Sequence, residues 1–134
     1  QLQEKNFDLE DAAATWDRVV AKFPRNAEAL QRAIDFQMKW GSPERALALH
    51  EESVKRRSDA GDALGTARAH SNVAFQRMRL GDDSGALDAY RRARSAYQSL
   101  GARQELVQVL VAMAPLAARQ GDEAGAQGAL AEAE

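Results

Sequence analysis

The sequence predicts an all-α fold, a right-handed solenoid of about seven helices arranged as antiparallel hairpins. Three observations lead there. Glycines recur at Gly41, Gly61, Gly81, Gly101 and Gly121, one every 20 residues across a 134-residue chain. The intervals between them are rich in helix formers and contain no proline after Pro43 until Pro115. Hydrophobic residues make up 45% of the chain but aromatics only 6%, so much of the apolar content is alanine, which favours close helix packing over a thick core of large side chains.

Each element follows from local chemistry. Glycine just past a helix end accepts the left-handed conformation that stops the helix. A stop every 20 residues leaves helices of about 15–17 residues, each roughly 25 Å long. Two such helices form a hairpin, and the 40-residue repeat is that hairpin. "KWGSPERALALHEES", "RLGDDSGALDAYRRA" and "RQGDEAGAQGALAEA" show it as three related stretches.

The first helix is expected over 8–22 and the second over 27–39. Ser42 caps the third, with Pro43 in its first turn, over 43–60. The fourth covers 63–79. Asp82 and Asp83 open the fifth, 83–99, where carboxylates meet exposed amides and the positive dipole end. Within it Ala86, Tyr90, Ala93, Tyr97 and Leu100 step by four and three along one face, the expected core stripe. Arg91, Arg92 and Arg94 fall off that stripe and are expected in solvent. The last helices cover 103–119, bent locally by Pro115, and 123–133.

This arrangement gives one solenoid segment, with a partial repeat at 1–26 and repeats at 27–66, 67–106 and 107–134. Starting at Gln1 with no signal pattern, it reads as part of a longer protein. Its expected location is the cytoplasm. Alanine and arginine usage is that of a high-GC bacterial sequence.

The run "DLEDAAATWDRVVAKFPRNAEAL" carries a family resemblance. Ala12, Trp16 and Pro24 sit at the alanine, aromatic and proline spacing of the second helix of a tetratricopeptide repeat and its exit. Ala86 and Tyr90 repeat the first two elements. The equivalent alanines Ala12, Ala46, Ala86 and Ala126 are separated by 34, 40 and 40 residues, so the chain resembles the longer variety of that family. It departs at Ile34, Ala74 and Ala114, where the family usually has glycine, and at Gln37, Arg77 and Ala117, where an aromatic is common. A 40-residue unit also suits HEAT-like repeats.

The resemblance implies a non-catalytic interaction scaffold whose first helices line a concave groove for a peptide or partner helix. Carried over, the groove residues are Arg32, Asp35 and Lys39, then Arg68, Ser71, Asn72, Phe75 and Arg79, then Gln108, Val111, Ala112, Pro115 and Arg119. The middle set lies within about 60° on a wheel of 3.6 residues per turn. Asn72 can both donate to and accept from a peptide backbone. Arg32, Lys39, Arg68, Arg79 and Arg119 against Asp35 would suit an acidic peptide or terminal carboxylate. A regulatory segment of a multidomain protein, or an element that self-associates through its ends, are the other readings.

Other chemistry lacks support. The net charge is -2, without the basic footprint of a nucleic-acid binder. There is no cysteine, which removes disulfides and thiolate sites. The apolar run 109–118 is too short to span a bilayer. His50 and His70 are expected to face each other across the Gly61 turn as a packed pair, without enough neighbouring ligands for a metal. No serine sits on a nucleophile turn and the spaced glycines are not a phosphate loop; neither an active site nor a cofactor is expected.

Overall fold

The computed structural model describes residues 2–23 and 25–134, with side chains from residue 8 onward. Pro24, one carrier of the family spacing, lies outside them. Seven helices follow in order: α1 Leu2–Lys22, α2 Ala27–Trp40, α3 Pro43–Asp59, α4 Ala63–Arg79, α5 Asp83–Leu100, α6 Arg103–Arg119 and α7 Glu123–Ala133. Among the described residues there is no strand. Each helix packs chiefly on its sequence neighbours, which is the signature of a solenoid. The expected boundaries hold to within a residue except at α1, which starts six residues early, where "LQEKNF" contains no breaker.

Four of the five glycine stops are left-handed: Gly61, Gly81, Gly101 and Gly121 have φ between 68° and 82°. At Gly81 the amide bonds the Met78 carbonyl, and the Asp82 amide reaches back to Arg77 at 2.9 Å. This double closure satisfies the last carbonyls of α4. Asp82 then turns donor-seeker for the next helix, its side chain accepting from the Gly85 amide. Asp62 and Asp122 do the same with Gly65 and Gly125. A Cβ at Gly65, Gly85 or Gly125 would collide with the capping carboxylate, so each "GDxxG" couples a stop to a start. Gly101→Ala meets no steric obstacle; its cost is backbone strain, expected at about 1–2 kcal/mol in urea denaturation.

Gly41 departs from the expected left-handed stop, with φ -100°. Only Ser42 separates it from α3, and Ser42 precedes Pro43 in extended backbone (φ -116°, ψ 151°), the conformation a following proline demands. Glycine is needed there for room: a Cβ would run into the Gln37 side chain.

The interior forms two clusters. The larger joins Ala67, Val73 and Ala74 of α4, the α5 stripe, and Leu106 to Leu116 of α6. The smaller contains Val20 of α1 with Leu30, Ala33 and Ile34 of α2. Helix α3 stands between them: Leu47 and Val54 pack on the larger and Leu49 on the smaller.

Three expectations are corrected here. Leu100 is 46% exposed, because α5 ends there and the stripe has outrun its neighbour. In α1 Ala13 is buried and Ala12 only half-buried, whereas the equivalent Ala46, Ala86 and Ala126 are all buried. Arg94 is half-buried, not solvated, and donates to Glu132 of α7 at 2.6 Å. Gln98 donates to the same carboxylate, and Arg103 reaches the terminal carbonyls of Glu132 and Ala133. These contacts tie down the C-terminal end of α7, where positive charge meets the negative dipole end.

Candidate functional site

The first helices of successive hairpins, α4 and α6, hold between them an open depression of about 480 Å³. Arg68, Ser71, Asn72 and Phe75 come from α4, and Glu105, Gln108, Val109 and Ala112 from α6. Its remaining lining is Tyr90 and Tyr97 of α5, whose rings are buried in the larger core. The four α4 residues share a face because they are spaced by three and four. Six of the thirteen sequence-derived groove residues therefore meet at one site: these four with Gln108 and Ala112.

The tyrosines are what the sequence reading missed, having assigned them only to packing. Burial raises both phenol pKa values. At Tyr97 the nearby Ser71 hydroxyl opposes that shift. The signal was present: Tyr90 and Tyr97 lie seven residues apart on α5, so their hydroxyl ends can emerge together beneath α4 and α6.

The other candidates are placed as follows. Phe75 is 43% exposed, and the Arg79 guanidinium lies 6.0 Å from its ring centre. Val111 is 53% exposed and Pro115 is exposed beside it on the next turn. Helix α6 continues through Pro115, which removes the amide that would otherwise bond the Val111 carbonyl. In α2, Asp35 accepts from Gln31, and the Lys39 ammonium sits 5.1 Å from the Trp40 ring centre. Arg32, Asp35, Lys39, Arg79 and Arg119 do not line the depression.

The electrostatics differ from the expected cationic groove. Arg68 pairs with Glu105 at 2.9 Å, raising the arginine's pKa and lowering the carboxylate's. Arg119 forms two bonds to Asp83, 3.0 and 3.1 Å, which raises its pKa. Arg32 holds Glu28 at 2.7 Å. Three of the five cations thus already carry a carboxylate. Glu105 and Asp83 lie 37 and 36 residues from their arginines, so neither appeared in a count made along single helix faces.

The two histidines have different charged neighbours. His50 is buried with Asp35 nearby, and His70 lies towards Arg92 and Arg77. Desolvation lowers both pKa values; Asp35 partly opposes this at His50, while the arginines reinforce it at His70. Native pKa values below the unfolded 6.5 mean the unfolded chain binds more protons as pH falls through that value. Stability from these groups is complete above about pH 6.5 and lost on acidification towards the native values. The urea midpoint is expected to drop between pH 7.5 and 5, and the drop to shrink in a His50→Gln/His70→Gln variant. An equal drop in the double variant would assign it to other groups. Among the described residues no three metal-ligating side chains gather, and no helix is long and apolar enough to cross a membrane.

No protein-family model matches the sequence, and no curated protein matches it. Among solved structures, BtubC from P. vanneervenii aligns over 98% of this chain with a TM-score of 0.72 and 18% identity. The chain spans 57% of BtubC's length. MamA aligns over 98% of this chain and 90% of its own with a TM-score of 0.48 and 17% identity. With its sequential hairpins and its likeness to BtubC, the chain is an all-helical repeat protein.

Proposed function

We propose that this segment is a non-catalytic, tetratricopeptide-like scaffold that holds a partner protein's segment in the α4–α6 depression. The observation that carries the reading is the convergence of Ser71, Asn72, Phe75 and Gln108 over the two tyrosines. An apolar partner side chain would sit against Phe75, above the buried tyrosines, with its backbone on the Asn72 amide. Because Arg68 and Arg119 are already ion-paired, an uncharged segment fits better than the acidic one the residue types alone imply. A preformed helical surface orders little on binding, which leaves most of the entropy cost to the partner.

The test is selection of peptides on the intact segment, followed by Asn72→Ala and Phe75→Ala measured separately. Phe75→Ala is expected to weaken binding by about 2 kcal/mol, as for a central aromatic anchor. Unchanged affinity for both variants, with helicity intact by circular dichroism, would remove the site. In a longer protein the same groove would serve a regulatory role, which full-length binding assays with and without the segment distinguish.

Self-association has one observation in its favour. Leu130 on α7, one 40-residue repeat after buried Tyr90, is 50% exposed. Leu130→Lys is expected to abolish any dimer seen in sedimentation, and a strictly monomeric wild type would end this reading.

A further inference from the structure

A second hollow, of about 680 Å³, opens between α2 and α3. These helices run antiparallel, so the N-terminal half of α2 faces the C-terminal half of α3, and the turn into α4 closes one end. Leu30 and Ile34 supply an apolar wall, while Ser53, Arg56 and Arg57 line the side formed by α3. A volume of this size lies within the usual range for small-molecule sites.

Arg56 is the informative group. Its Nε donates to Glu52 at 3.0 Å and its Nη2 to the Val20 carbonyl at 3.3 Å. Its Nη1 is buried and has no hydrogen-bond partner among the described residues, a costly state for a guanidinium donor. Ser53, three residues earlier on the same face, is buried and accepts from Arg57 Nε at 3.2 Å. That bond leaves the hydroxyl hydrogen available to an acceptor. Arg56 is paired with Glu52 and Arg57 with Asp62 at 3.3 Å, so what the lining leaves over is a pair of donors, Arg56 Nη1 and the Ser53 hydroxyl, which one carboxylate group can accept from.

We propose that this hollow binds a small amphipathic monocarboxylate. Its carboxylate would accept from Arg56 and Ser53, and its apolar body would lie against Leu30 and Ile34. The proposal is independent of the α4–α6 groove and stands whether or not that groove binds protein.

The probes are 4-phenylbutyrate and its neutral amide, titrated against the ¹⁵N-labelled segment by NMR. The carboxylate is expected to shift the amides of Ser53, Arg56 and Ala60 saturably and to bind about tenfold tighter than the amide, as a charge-assisted bond requires. Arg56→Lys keeps the charge but loses the planar fork, and is expected to weaken the carboxylate about tenfold. Because Arg56 also holds Val20, a second variant leaves that contact alone. Ala60 lines the hollow in right-handed helical backbone, φ -80° and ψ -5°, where any side chain fits; Ala60→Trp is expected to fill the hollow and abolish binding. Equal affinity for acid and amide, shifts confined to other regions, no saturable shift, or binding undiminished in Ala60→Trp each overturns the proposal.

Discussion

Leu110→Ala is expected to lower the unfolding free energy by about 3–5 kcal/mol, the upper part of the range for buried leucine truncations. Leu110 has no exposed surface and sits within the larger cluster. Its surroundings explain the placement in that range. Ala67, Ala74, Ala86 and Ala93 are all fully buried, and helices spaced by alanine are already near backbone contact. They cannot close further around a lost isobutyl group, so the cavity persists and its cost adds to the lost transfer energy. Urea denaturation with an unchanged m-value would report this directly. A loss below about 1 kcal/mol would mean the core collapses around the gap, contrary to the packing just described.

The second large effect belongs to Tyr97, which serves the core and the groove together. Tyr97→Ala is expected to cost about 3–5 kcal/mol, as for buried aromatic truncations, since the ring is 2% exposed in the larger cluster. Tyr97→Phe keeps the ring and removes only the hydroxyl near Ser71, and is expected to cost about 1 kcal/mol. The pair separates the residue's two roles. If the depression binds a partner, Tyr97→Phe alters affinity while leaving the fold intact. If affinity follows stability alone across both variants, the tyrosine contributes only packing.

The helices were legible because their limits are written in local chemistry. Asp82 caps α5 and Gly81 ends α4 through bonds spanning a few residues, and such bonds depend little on distant structure. Gly41 was misread because the same residue type served a different need, space for Gln37. The groove was legible by face but not by charge. Helical spacing brings Arg68 and Asn72 together, whereas pairing Arg68 with Glu105 depends on how α6 is offset against α4. That offset is set by packing across the interface, as is the hollow beside Arg56, which no periodicity along one helix encodes. The charges around the histidines were hidden for the same reason: folding back at Gly61 sets their level along the hairpin, but rotation about each helix axis decides which charged groups each one meets.

The division of the interior on either side of α3 has a consequence for how such a chain can change over time. Leu47 and Val54 serve one side and Leu49 the other, so α3 is a joint with separable obligations. Substitutions among Val20, Leu30 and Ile34 can accumulate without disturbing the tyrosines under α4 and α6. Such substitutions alter the hollow lined by Leu30 and Ile34, while the α4–α6 depression keeps its shape. One helix thereby insulates the two sides of the interior from each other.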